Sequence, residues 1–130
     1  MSSLTIYGDS ISGNCLKVKF TCDLLGIPYR WIETSVIEKS TRTPEFLKRN
    51  PVGQVPVAEW DDGRVLAESN AIILYLADGS PLIPKDAFQR AKMLEWMFWE
   101  QYSHETAIAV RRSRPRSMSP TGSSVPSTRC

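Results

Sequence analysis

Between Leu4 and Glu33 the apolar residues change period twice, and that change limits the topology more than any other stretch. Leu4-Thr5-Ile6-Tyr7 reads as a short strand, and the GDSISG run behind it as a loop. Ser12 suits the N-cap of a helix from about Asn14 to Leu25, with Gly26 at its C′ position. Cys15, Val18, Cys22 and Leu25 fall on one helical face, which suffices to pack against a sheet. The run IPYRWIE then supplies a second strand. A strand, a helix and a strand in this order cross over right-handedly and leave the two strands parallel.

The next stretch carries clear start and stop signals. Thr43 is an N-cap candidate, Pro44 follows at the first helical position and Glu45 lies in the first turn, so TPEFLKRN predicts a short helix. Val55–Trp60 and Arg64–Ala67 flank Asp-Asp-Gly and predict an antiparallel hairpin. From Ser69, SNAIILYLAD is apolar nearly all round, the pattern of a buried helix, closed by Gly79 and Pro81. The expected fold is α/β, a βαβαββα domain with a mixed four-stranded sheet over residues 1–80. Residues 81–85 read as a linker. Asp86 and Gln89 then open a long helix over about 86–112, whose aromatic load calls for packing on several sides.

Composition narrows the function classes. A chain of 130 residues with 42% apolar content holds one domain with a real core and a fragment of another. It lacks an uncharged apolar run of about 18 residues, and MSSLTIYGDS lacks the order of a secretory signal, so a cytoplasmic protein without membrane contact is expected. The net charge of +2 conceals an asymmetry, because the last twenty residues hold five Arg and no acid. That Arg/Ser/Pro-rich tail, 113–130, has no aromatic residue and is expected to stay disordered. Without a basic helix or stacking aromatics, no nucleic-acid partner is expected. Cys15 and Cys22 are separated by about 10 Å of helical rise, which argues against a disulfide. A single histidine, His104, and no CxxC or HExxH leave a metal site without ligands.

The stretch NPVGQVPVAEWDDG, Asn50 to Gly63, sets two prolines and two glycines around a strand, directly ahead of Glu68-Ser69 at a helix start. Pro56 fixes its φ and removes a donor, and X-Pro bonds in folded proteins are cis in only about 5–6% of cases. A proline at the start of a hairpin strand suits a bend that leaves the Val55 N–H and C=O outside the sheet. There they can take an extended peptide as an added strand. Unpaired N–H groups and the dipole at the Ser69 helix start favour a ligand carboxylate, while Glu68 suits a ligand ammonium. Together these two ends match an α-amino acid head group. The plainer alternative makes Ser69 an N-cap and Glu68 a solvated charge.

With LTIYGDSISGNCLKVKF, LGIPYRWIE, TPEFLKRNPVGQVPVAEWDDGRVLAESNAIILYLA and RAKMLEWMFWEQYSHETAIAV, the chain resembles the cytosolic glutathione S-transferase family over about residues 3–110. The resemblance implies a thioredoxin-like N-terminal domain, a cis Pro56, and Val55 pairing with the cysteinyl part of glutathione. Glu68 and Ser69 would hold the γ-glutamyl end, and Gln54 would lie near the glycyl carboxylate. Ser12 matches the hydroxyl of serine-type members, which stabilises the glutathione thiolate and is not itself the nucleophile. Asn14 offers a second donor. Ser10 and Cys15 compete with Ser12, a helix N-terminus being able to lower a thiol pKa. Tyr7 lies near the hydroxyl position of tyrosine-type members, though strand packing accounts for it.

The implied function is conjugation of glutathione to a small electrophile, with glutathione as co-substrate and no metal. Alternatives are a non-catalytic glutathione- or protein-binding module and a glutathione-dependent thiol-disulfide or peroxide reductase. The family's second domain is all-helical and carries much of the electrophile pocket and part of the homodimer contact. The resemblance stops after HETAIAV, and residues 111–130 read as an unrelated extension of the kind a frameshift produces. Glutathione binding is therefore expected to survive better than turnover.

Overall fold

The computed structural model describes residues 2–109. The expected tail at 113–130 and the end of the expected long helix lie outside the described residues. Four strands, β1 (Leu4–Gly8), β2 (Arg30–Glu33), β3 (Val57–Trp60) and β4 (Val65–Ala67), form one mixed sheet in the order β2-β1-β3-β4. β1 and β2 are parallel, whereas β3 runs antiparallel to both β1 and β4. Helices α1 (Gly13–Leu25), α2 (Pro44–Arg49) and α3 (Ser69–Ala77) complete the βαβαββα order, and α4 spans Ala87–Trp99.

Capping chemistry sets the helix ends. Ser12 accepts the Cys15 N–H at 3.4 Å, Thr43 accepts that of Phe46 at 3.3 Å, and Asp86 accepts that of Gln89 at 2.9 Å. At the end of α1, Gly26 takes a left-handed φ of 66°, and the Ile27 N–H returns to the Cys22 carbonyl at 2.9 Å. β3 begins two residues later than the alternating pattern suggested, because Pro56 has no N–H to give a ladder; the Val55–Pro56 peptide is cis.

The two sheet faces differ. The register places Leu4 opposite Trp60 and Ile6 opposite Ala58, and these side chains join Val18 and Cys22 of α1 and Ile72 of α3 in the core. Complete burial of Ile6, Val18 and Ile72 stabilises the fold by about 1.5–3 kcal/mol for each side chain. On the other face Tyr7 lies opposite Val57 and meets Phe46 of α2 edge-on at 6.3 Å. Arg49 stacks 4.7 Å from the Tyr7 ring and its Nε donates to Glu59 at 2.6 Å. α3 is less enclosed than its apolar sequence suggested: Tyr75 remains half exposed, with its hydroxyl 2.9 Å from Arg64 and its ring edge-on to Trp60.

The chain divides into two compact units at Leu94 and Glu95, inside α4. No residue of α4 is buried, and Trp96 and Phe98 are 67% and 71% exposed. The expected single helix changes character at Glu100, where a π-helical segment begins and runs to Ala109. A π turn sets residue i+5 above residue i, and the Trp99 and His104 rings, five residues apart, lie 5.7 Å from each other.

Candidate functional site

Strand direction brings four chain segments to one end of the sheet. β1 and β2 end there in parallel, β3 begins there because Tyr7 pairs with Val57, and β4 ends there because Ala67 also pairs with Val57. Asp9 to Ser12, Thr34 to Val36, Gln54 to Pro56 and Glu68-Ser69 therefore all leave the sheet at the same edge. Residues far apart in sequence meet at this edge: the Ser69 hydroxyl donates to Asn14 Oδ1 at 3.4 Å across 55 positions, joining the starts of α3 and α1.

Ser69 does not cap α3. Glu68 occupies the cap position, without a side-chain cap hydrogen bond, and Ser69 is the first helical residue, buried at 3% exposure. Glu68 holds a φ of 71° and ψ of 115°, a region that costs a non-glycine residue of order 1–3 kcal/mol. Its carboxylate is exposed. The bend turns the chain sharply from β4 into α3, and periodicity gives no sign of such a bend.

The turn before Pro56 is organised by Asn50, a residue whose role sequence reasoning missed. Asn50 is buried; its Nδ2 donates to the Gln54 carbonyl at 2.9 Å and its Oδ1 accepts the Val52 N–H at 3.2 Å. Its own carbonyl accepts the Gly53 N–H at 2.9 Å. The Gln54 side chain is exposed, and Val55 takes part in none of the turn and loop backbone hydrogen bonds found among the described residues. An Asn ahead of Pro-x-Gly is an Asx-type turn signal that would have pointed to this role.

Around Ser12 the loop is held by carboxylates. Asp9, 4% exposed, accepts the Ile11 N–H at 3.1 Å and the Val36 N–H at 3.0 Å, while its carbonyl accepts the Ser12 N–H at 2.9 Å. Glu33 accepts both the N–H and the hydroxyl of Ser10, at 2.8 and 3.0 Å, and the Trp31 indole N–H at 2.8 Å. The Ser10 N–H, followed by the indole, holds the Glu33 carboxyl below its ordinary range.

The competing candidates are occupied elsewhere. The Ser10 proton goes to Glu33. Cys15 is fully buried and burial pushes its thiol up, with the Ser12 hydroxyl opposing only in part. Burial, then the Glu59 carboxylate, pushes the Tyr7 hydroxyl up on the α2 face. Among the described residues no three His, Cys, Asp or Glu side chains are grouped to hold a metal ion, and no helix is long and apolar enough to cross a membrane.

Against known proteins, a family model described as the glutathione S-transferase N-terminal domain matches residues 11–78. The chain belongs to the glutathione S-transferase family. A glutathione S-transferase from Pseudomonas fluorescens shares 49% identity and a TM-score of 0.81, over 84% of this chain and 54% of that one. A theta-class transferase from Xanthomonas axonopodis pv. citri, solved with glutathione bound, shares 32% identity and a TM-score of 0.76, over 84% and 53%. Glutathione S-transferase 1 of Dianthus caryophyllus is 36% identical over 91 residues, 68% of this chain and 41% of that protein. The chain thus spans about half the length of these relatives, and its sheet and helices have the thioredoxin-like arrangement of the family's N-terminal domain.

Proposed function

We propose that this chain carries the glutathione half of a transferase site, and that Ser12 stabilises the thiolate that attacks a small electrophile. The observation that carries this reading is the Ser69 to Asn14 hydrogen bond, which joins the start of α3 to the start of α1, two residues after Ser12. A γ-glutamyl carboxylate would meet the N-terminal N–H groups of α3 and its ammonium the Glu68 carboxylate. Val55 would pair its backbone with the cysteinyl unit as an added strand, with Gln54 beside the glycyl carboxylate.

In the chemical step the glutathione thiol gives its proton to solvent and its sulfur forms a thioether bond to the electrophilic carbon. The Ser12 hydroxyl accepts the Cys15 N–H and would donate a hydrogen bond, keeping its proton, to the thiolate sulfur, and the positive end of α1 adds to this stabilisation. Asn14 is the second donor. The rest of the pocket would come from the helical domain that α4 begins, with pairing of two copies as in the homodimers the family resemblance implies.

Retention of the full chain on immobilised glutathione tests the binding half, and Glu68→Ala and Ser69→Ala should each abolish it. Failure of the unaltered chain to bind would end both the transferase and the glutathione-module readings. A thioether-forming assay then compares the unaltered chain with Ser12→Ala, for which a loss of about 10²-fold or more is expected. Binding without turnover favours a non-catalytic module. Activity abolished by Cys15→Ser alone favours the reductase, a role that its burial opposes.

A further inference from the structure

The carboxylate of Asp9 lies beside the Ser12 loop, and nothing in the proposed thiol chemistry uses it. Its geometry is that of a clamp. One oxygen accepts the Ile11 N–H at 3.1 Å inside the loop, and the other accepts the Val36 N–H at 3.0 Å from the segment that follows β2. Its backbone carbonyl takes the Ser12 N–H at 2.9 Å, which closes the turn one residue before α1 begins. The neighbouring strands are tied at the same point, since the Thr34 N–H donates to the Gly8 carbonyl at 2.8 Å.

A buried carboxylate in the same loop as the hydroxyl proposed to face a thiolate is electrostatically unfavourable there, because a negative charge opposes a second one. The position tolerates it because two N–H donors compensate the charge and fix the backbone on both sides. Without Asp9 the Asp9–Ser12 turn keeps one backbone hydrogen bond, and the Val36 N–H and the Ile11 N–H lose their acceptor. The Ser12 loop then loses its side-chain tie to the segment after β2, and the Ser12 hydroxyl is left with only its cap bond from the Cys15 N–H to set its direction.

We propose that Asp9 is a positioning residue that aims the Ser12 hydroxyl at the bound glutathione sulfur by bridging its loop to the segment after β2. The proposal rests on the glutathione reading above. It acts through Ser12 and does not touch the ligand. The two possible roles of Asp9 have opposite signs. As a mere charge it would raise the thiol pKa, so that its removal would lower it. As a positioning residue it lowers the thiol pKa through Ser12, so that its removal raises it.

The full chain is titrated with bound glutathione, following thiolate absorbance against pH, in the unaltered protein, Asp9→Asn, Asp9→Ser, Ser12→Ala and the Asp9→Asn/Ser12→Ala double variant. Asp9→Asn keeps one acceptor and removes the charge, and Asp9→Ser keeps a short acceptor for the turn and cannot reach Val36. Affinity for S-methylglutathione, which has no proton to lose, is measured alongside. The expected result is a several-fold smaller thiolate fraction at neutral pH in the Asp9 variants, near-unchanged S-methylglutathione affinity, and no further loss from Asp9→Asn once Ser12 is Ala. A thiol pKa that stays or falls in both folded Asp9 variants overturns the proposal, as does an Asp9 effect that persists undiminished beside Ser12→Ala. If the unaltered chain binds neither ligand, the glutathione reading fails and the Asp9 role with it. If it binds both and only the Asp9 shift is missing, the glutathione reading stands and the positioning role falls.

Discussion

The loop that carries Ser12 and the turn that ends at Val55-Pro56 leave the same edge of the sheet, yet they are held by opposite chemistry. Two carboxylates, Asp9 and Glu33, hold the first by accepting backbone and side-chain protons. A neutral amide, Asn50, holds the second by donating and accepting at once. The difference matches the task of each. In the proposed reading the turn would offer a peptide edge, which needs shape and no charge. The loop would set a hydroxyl beside a sulfur that becomes negative, so its anchoring charges would need to be held by N–H and O–H donors rather than left facing the ligand.

The comparison breaks most sharply at Asn50. Asn50→Ala removes both side-chain hydrogen bonds and leaves the Val52 N–H and the Gln54 carbonyl without their partner, a loss of about 2–3 kcal/mol. Urea denaturation should show that drop together with weaker glutathione retention. The thiol pKa of whatever glutathione still binds should not move, since the Ser12 loop is untouched. A changed thiol pKa with unchanged retention would show that the two segments do not divide the work in this way.

Gly53→Ala is a smaller test of the same turn. Its φ of +71° costs an alanine about 1–2 kcal/mol, and the added Cβ would lie 3.1 Å from the Thr41 carbonyl and 2.9 Å from the movable Arg42 guanidinium. A fall in stability of about that size, read from the urea midpoint, is expected. No measurable fall would mean that the turn relaxes freely and that Asn50 alone does not define it.

These two tests also mark what the sequence made legible. Ser12, Thr43, Gly26 and Asp86 were readable as caps because their partners lie within one helical turn, and cap chemistry is local. The hairpin was readable from Asp-Gly, and the mixed sheet from the changes of period. The site edge was readable only in part. Ser69 meets Asn14 across 55 positions and Asp9 meets Val36 across 27, and no periodic pattern encodes such pairs. Glu68 was placed at the right helix start, but its cap position and left-handed backbone were not readable, because a positive φ on a glutamate leaves no trace in propensity. The helix α3 misled for a related reason: Tyr75 counts as apolar, yet its hydroxyl holds it at the surface beside Arg64.

Acid pH sharpens the comparison most gently, since only one of the two anchors contains carboxylates. Glu33 is exposed, and the Ser10 N–H with the Trp31 indole holds its folded pKa below the ordinary carboxylate value of about 4.3. The sign follows from linkage. The charged form is favoured in the folded state, so its stabilising contribution is full above the ordinary pKa and is lost as pH falls through the depressed folded value. Protonation removes an acceptor from the Ser10 N–H and hydroxyl, while Asn50 has nothing to titrate in that range. Hydrogen exchange, corrected for the intrinsic effect of pH, should therefore show protection falling at the Ser10 amide below about pH 4. Protection of the Val52 and Gly53 amides should hold through the same range. Equal loss at both places would mean that acid loosens the whole edge together and that the chemical contrast has no mechanical consequence. In Glu33→Gln the Ser10 amide should lose its acid sensitivity, because the amide oxygen accepts the same N–H at every pH.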